Sequence, residues 1–300
     1  MIHRTKILPI NGFKQEGYDK IWIKILSLRF MIRDRKISLV LGSGGARGLA
    51  HIGAIRAIEE QGGIIDEIVG SSIGALIGGI YAKGDLSIFE DWVTKLTNRD
   101  VLSLLDFTWQ STGVVKGQKI LNTVKQLIPD AQIEDLPIPF AAVTTNLTKE
   151  CDCCLESGSL YEAIRASISI PGVFTAVHQD EDKMVDGGVL NPLPLKYLKK
   201  RKENLVIAVN LEAPAEKREQ IFRDNSMIAV LQHAYYVMRN QITQLTLDLY
   251  TPDYVVQIPR DISGIWDYDK AKFLIERGKE LTYSALQVTP NSSCSSNLLK

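Results

Sequence analysis

The sequence predicts an α/β fold, a three-layer sandwich built around a mainly parallel central sheet. Three observations carry this: apolar runs of strand length recur along the chain, segments with helical apolar spacing separate them, and glycine clusters stand where a run gives way to a helix. Strands that alternate with helices are joined by crossovers, which set the strands side by side and cover the sheet with helices.

Residues 1–30 read as an extension ahead of the domain. The apolar stretch at 21–32 lies far from the start, is broken by Lys24, Ser27 and Arg29, and precedes no small-residue cleavage site, so it is not a secretory signal. It is also too short and too charged to span a bilayer. Trp22, Ile25, Leu26 and Arg29, with Lys20, Lys24 and Arg33 nearby, fit a basic amphipathic helix lying on a membrane surface. A packing helix, or sequence upstream of a true start at Met31, competes with that reading.

Residues 37–41 read as the first strand, followed by a glycine cluster and then Leu49, Ile52, Ile55 and Ile58 at helical spacing. Gly62 and Gly63 end that helix, and 64–69 form a second strand leading into Gly70-Ser71-Ser72-Ile73-Gly74 and an apolar helix over 75–82. Asp85 can cap a helix through Leu96, and 120–128 suggest another, while 99–116 show no clear period. Buried strands are expected at 140–145 and 205–211 and a last strand at 254–258, with long helices at 226–250 and 269–286. No repeat or low-complexity linker divides the series, so 31–287 form one domain and 288–300, a run of Pro, Asn and Ser, a disordered tail.

Charge and cysteines narrow the function classes. Lys plus Arg equal Asp plus Glu at 35 each, which leaves no global field favouring nucleic acid or an anionic membrane. Any attraction to either must come from a local patch, so net charge identifies no partner; nucleic acid is not an expected one, and oligomeric state is left open. Cys151, Cys153 and Cys154 crowd too closely for a disulfide framework or a zinc site, and read as strand residues in a reducing compartment; Cys294 falls in the tail. No H-E-x-x-H and no calcium-loop pattern occurs, so no metal and no other cofactor is expected.

Gly70, Ser72 and Gly74 fit the G-x-S-x-G elbow, in which a strand turns sharply into a helix and presents the central serine on a strained backbone. Ser71 occupies the wrong position in the motif. Gly42, Ser43, Gly44, Gly45, Ala46, Arg47 and Gly48 close the first strand and open a helix whose free N–H groups favour negative charge. A dinucleotide reading fails, because Arg47 stands where the third glycine of G-x-G-x-x-G belongs, and G-x-x-x-x-G-K-[ST] is absent. If the two strands are neighbours, both loops meet at one sheet edge, and the N–H groups of Gly44, Gly45 and Ala46 can stabilise the oxyanion formed when Ser72 attacks an ester carbonyl. Arg47 either holds the loop, meets an anionic headgroup, or is a solvated helix-terminal arginine.

A serine nucleophile needs a base. His3 is in the irregular N-terminus, His51 lies in the first buried helix and reads as structural, and His178 (in a loop) and His233 (in a long helix) keep a histidine triad open. Asp186 ends a strand and is followed by Gly187 and Gly188, which on its own is most often a turn.

Taken in order, Gly44-Gly45-Ala46-Arg47-Gly48, Gly70-Ser71-Ser72-Ile73-Gly74 and Asp186-Gly187-Gly188 resemble patatin-like phospholipases. Arg165, Ala166, Ser167, Ile170, Pro171 and Gly172, with Asn191-Pro192-Leu193-Pro194, resemble the bacterial branch related to neuropathy target esterase. The resemblance implies a patatin-like fold and metal-free hydrolysis of phospholipid, lysophospholipid or other carboxylic esters by a Ser-Asp dyad without histidine. It makes Ser72 the nucleophile, Asp186 the base, and Gly44, Gly45 and Arg47 part of the oxyanion motif. A lipid ester is the expected substrate, and the expected location is cytoplasmic with peripheral membrane contact. Pro171, Val173 and Phe174 are candidate walls for the acyl chain. Two alternatives stand beside this: an α/β-hydrolase with a histidine triad, and a non-catalytic lipid or nucleotide binder that keeps the fold.

Overall fold

The computed structural model describes residues 32–104, 118–215 and 227–287. The amphipathic segment expected at 21–32 lies outside them except for Ile32, which is buried in the core, and so do Cys294 and His3. In chain order the strands are β1 (Lys36–Leu41), β2 (Ile64–Ser71), β3 (Phe140–Asn146), β4 (Cys151–Leu155), β5 (Val177–Gln179), β6 (Asp182–Asp186), β7 (Leu205–Ala213) and β8 (Tyr254–Pro259). The helices are α1 (Ala50–Glu60), α2 (Ile73–Lys83), α3 (Leu86–Val93), α4 (Asn98–Leu104), α5 (Gln118–Leu127), α6 (Leu160–Ser167), α7 (Met227–Tyr250) and α8 (Ala271–Leu286).

All eight strands join one sheet. β1 is parallel to β2 on one side and to β7 on the other, β8 is parallel to β7, and β3 is parallel to β2. β4, β5 and β6 supply the antiparallel part. Strand alternation makes the layers: Ile37, Leu39 and Leu41 of β1 point into a core filled by α1, α2 and α8, whereas Val40 packs on the other face with Leu193, Leu195 and Leu247 of α7. Both faces are covered, which is why the parallel strands are nearly continuous runs of apolar residues.

The register around β3 positions the site. Val143 pairs with Ser71 of β2, and the next residue, Thr144, pairs with Asp186 of β6. Both residues also pair with β4, which occupies the opposite edge of β3. β2 and β6 therefore share one edge of β3 in tandem, and their C-terminal ends face each other across a seam.

Several boundaries differ from the sequence reading for physical reasons. Asp85 precedes α3 but makes no side-chain cap; its carboxylate is taken by Lys83, and the helix stops at Val93. α4 lies at the start of the stretch with no clear period, while 105–117 fall outside the described residues. α6 went unrecognised although Ser159 and Glu162 spell a capping box, and Ser159 Oγ indeed accepts the Glu162 N–H at 3.2 Å. His178 is in strand β5, not in a loop.

Candidate active site

Ser72 stands between β2 and α2 at φ 57° and ψ −124°, a strained backbone for a residue with a side chain. Gly74 allows this turn, because a Cβ there would lie 2.1 Å from the Leu41 carbonyl oxygen of β1, and a Cβ on Gly70 would lie 2.4 Å from Gly74 O. The Ser72 N–H donates to Ser167 Oγ at 2.8 Å, and the Ser167 hydroxyl donates to Val143 O at 2.6 Å, which pins the turn to α6 and β3. Ser71 points away; its hydroxyl is fully buried against Gly187.

Across the seam, the Ser72 hydroxyl donates to Asp186 Oδ2. The Gly188 N–H donates to Oδ1 at 2.7 Å, so the Asp-Gly-Gly turn holds its own carboxylate in place. Asp186 is 2 % exposed. Burial pushes its carboxyl up to about 6, against the pull of the Ser72 hydroxyl, the Arg239 charge and the Gly188 N–H. Gly187 and Gly188 have no room for a side chain, since a Cβ would meet Val143 O at 2.1 Å and Ser43 Oγ at 2.4 Å.

The glycine loop lies beside this pair. Gly42 extends β1 by donating to Val209 O at 3.1 Å, Gly45 takes the left-handed φ of 61° that starts a 3₁₀ turn over Gly45–Leu49, and Gly48 packs directly on Ile73. Among the described residues the Gly44 and Gly45 N–H groups donate to no protein acceptor, whereas Ala46 donates to Ile265 O at 3.0 Å. Of the three amides expected to meet an oxyanion, Ala46 is thus already engaged. Arg47 is 2 % exposed rather than solvated; it donates to Gly44 O at 3.0 Å and Arg260 O at 3.1 Å and stands 3.5 Å from Glu212 Oε1. It therefore braces the loop.

These groups meet in a cavity of about 110 Å³ lined by Gly44, Gly45, Arg47, Ser72 and Asp186, with Ile170, Pro171 and Val173 as apolar wall and Tyr235, Tyr236 and Arg239 of α7 opposite. Phe174 packs edge-on against Trp266, next to the wall residue Ile265. A larger cavity of about 570 Å³, bordered by Leu121, Arg165 and His178, includes neither Ser72 nor Asp186.

Sequence reasoning missed Glu212 and Arg239, and met Ser167 only within the family resemblance, without its bond to the Ser72 N–H. Glu212 is at the C-terminal end of a parallel strand, where such sheets put their sites, and Arg239 is the lone cation of an otherwise nearly uncharged helix; both signals were readable. Their side chains form an ion pair at 2.8 Å, and Arg239 also donates to Ser43 Oγ of the glycine loop.

The histidines are placed elsewhere. Among the described residues none lines the smaller cavity: His178 is exposed on β5, His233 is on α7, and His51 is fully buried with Nε2 2.8 Å from Gly42 O. Among the described residues there is also no group of three or more His, Cys, Asp or Glu side chains able to hold a metal, and no helix long and apolar enough to cross a membrane.

The patatin-like phospholipase family profile matches residues 39–199, more than half of the chain and all three glycine motifs. The chain belongs to the patatin-like phospholipase family. Its relatives include an uncharacterized NTE family protein of Mycobacterium tuberculosis, 44 % identical over 176 residues, which are 59 % of this chain and 49 % of that protein. Lysophospholipase NTE1 of Saccharomyces cerevisiae is 33 % identical over 204 residues, 67 % of this chain and 12 % of that protein. The Neuropathy target esterase sws of Drosophila virilis is 39 % identical over 165 residues, 53 % of this chain and 11 % of that protein. The match thus spans about half the length of the mycobacterial relatives and a smaller part of the eukaryotic ones. A solved structure, VipD from Legionella pneumophila, aligns at a TM-score of 0.47 and 17 % identity, covering 84 % of this chain and 66 % of that one. Glu212 and Arg239 lie beyond the segment the patatin-like profile matches.

Proposed function

We propose that this patatin-like chain is a serine esterase that hydrolyses acyl esters of lipids, in the manner of a phospholipase A or lysophospholipase, through a Ser72–Asp186 dyad. The single observation that carries the reading is the hydrogen bond from a hydroxyl on a strained elbow to a buried carboxylate whose pKa is raised to about 6. The names of the yeast and fly relatives support the substrate class.

In this reading Asp186 takes the Ser72 proton as Oγ attacks the ester carbonyl, so no free alkoxide forms. An unperturbed aspartate is a poor base; burial brings this one closer to neutrality while leaving it mostly ionised at pH 7. The Gly44 and Gly45 N–H groups face the developing oxyanion, and losing one such donor typically costs about 3 kcal/mol of transition-state stabilisation. Asp186 then protonates the leaving alcohol and activates the water that releases the acid from the acyl-enzyme. Ile170, Pro171 and Val173 give the acyl chain its apolar wall. No step uses a metal, and the working unit is taken as residues 31–287, cytoplasmic and in peripheral contact with membrane.

A fluorophosphonate ester probe tests the reading, since only an activated serine reacts fast. Wild type and Ser71→Ala should be labelled and Ser72→Ala should not, at unchanged circular dichroism. His178→Gln and His233→Gln should retain most turnover of a soluble ester, and exhaustive chelation should leave it unaffected. Native-rate hydrolysis by Ser72→Ala would remove the nucleophile, and loss in a well-folded histidine variant would revive a triad.

A further inference from the structure

Helix α7 is amphipathic in the reverse sense for a helix that covers a sheet. Arg239, Thr243 and Leu247 are buried on its inner side, while Met227, Leu231, Met238, Leu245 and Leu249 are exposed, with Val230 and Val237 beside them. At about 100° per residue the first five fall within an arc of about 40°, a continuous apolar line along the helix. Seven of the 13 exposed large hydrophobic residues among the described residues lie on this one element, and Met227, Leu231 and Leu249 are 76 %, 61 % and 73 % exposed. Scattered apolar side chains on a surface need no explanation, but a contiguous line does.

The placement of the helix says what the line meets. Arg239 touches Ser43 and Glu212 at the C-terminal strand ends, and Leu247 packs farther down the sheet on Val40 and Ala208. Residues 227–238, about 18 Å of helix, therefore lie on the far side of Arg239 from Leu247, toward the end of the sheet where Ser72 stands. Tyr235 and Tyr236, from the same turns, line the cavity.

We infer that the outward line of α7 seats the protein on a lipid surface, with residues 227–238 of the helix buried among acyl chains beside the cavity. The inference rests on the proposal that Ser72 acts on lipid esters. Continuity with the cavity selects lipid over a second copy of the chain, because a copy seated on this line would stand on the side from which the ester must arrive. The helix carries only Arg239, which is buried, and Asp248 as charged residues besides His233, so no basic side chain on the line draws it to anionic headgroups. Attachment comes from apolar burial, and it is indifferent to lipid charge and to salt.

Flotation with vesicles of phosphatidylcholine alone, and with added phosphatidylserine, at low and high salt tests this. The double variant Leu231→Glu, Met238→Glu is compared with wild type and with Ile64→Glu, an exposed control at the opposite end of β2. The double variant should partition at least about tenfold more weakly onto both vesicle types and hydrolyse vesicle lipid correspondingly more slowly. Turnover of a water-soluble short-chain ester should stay within about twofold, and Ile64→Glu should bind like wild type. Undiminished binding of the double variant overturns the inference, as does binding that requires phosphatidylserine and disappears at high salt, which would assign attachment to basic groups. A wild-type dimer broken by the double variant, with no vesicle binding by either, assigns the line to a second copy. If wild type binds through the line yet leaves the soluble ester intact, the attachment stands and the esterase reading falls.

Discussion

Arg239 Nη2 lies 2.8 Å from Glu212 Oε1 in the wall of the cavity that holds Ser72, and its charge acts on Asp186 as well. With Arg47 close by, two guanidiniums and two carboxylates share a buried region.

Arg239→Gln removes a charge that holds the Asp186 carboxyl down, so the acid limb of the kcat/KM–pH profile should move upward from about pH 6. Activity at pH 7 falls and recovers in part at pH 8 to 9. A uniform loss at every pH, with an unmoved limb, would make Arg239 a strut for Ser43 and nothing more.

Asp186→Asn should lose esterase activity by orders of magnitude yet gain stability at neutral pH, because the buried carboxylate is ionised there at a cost of about 3 kcal/mol. Asn can keep the Gly188 N–H as a donor and turn its own amide toward Ser72. The folded pKa lies above the ordinary 3.8, so folded protein binds the proton more tightly. The gain is therefore full above about pH 6 and shrinks as pH falls toward 3.8. Thermal melts at pH 8 and pH 4 check it.

His51 acts in the opposite direction. Burial pushes its pKa down from 6.5 to about 4, against the pull of Gly42 O, so its stabilising contribution is whole above pH 6.5 and is lost as pH falls toward 4. Asp186 offsets part of this loss between about pH 6 and 4. Asp186→Asn should consequently lose stability more steeply than wild type between pH 6.5 and 4 in urea titrations. Parallel slopes would contradict the assignment of these two buried groups.

Gly74→Ala should damage the elbow more than any exposed glycine change, since the new Cβ must displace the Leu41 carbonyl 2.1 Å away. A drop of more than about 3 kcal/mol in stability, or failure to fold, is expected. Gly158→Ala, with φ 87° but nothing within 4 Å, should cost only about 1–2 kcal/mol and serves as the reference in denaturant titration.

Naming Ser72 and Asp186 as a pair took the resemblance of the three glycine motifs to patatin-like phospholipases, since the residues alone left Asp186-Gly187-Gly188 as a turn and a histidine base open. The parallel core was legible from the residues themselves: β1, β2, β3, β7 and β8 are runs of apolar residues set between helical periods. The short β5 strand carries too few apolar residues to be seen, and it exists because it pairs with β6. The ion pair of Glu212 and Arg239 could not be read as a pair, since strand and helix meet only in three dimensions. Ala46 shows the limit from the other side: its N–H belongs to a loop that looks free in sequence, and Ile265, far along the chain, takes it.

The head-on meeting of β2 and β6 on one edge of β3 has a consequence for how the molecule matures. Ser72 and Asp186 are 114 residues apart, and nothing local brings them together. The seam closes only after β3 has accepted β2 along its first half and β6 along its second, so it is among the long-range closures whose chain entropy must be met before they yield any contact. A newly made chain can hold β1, α1 and β2 together and still lack the pairing at Ser72. On the proposed dyad, the serine gains its partner only in the finished sheet, and a partly folded chain holds none.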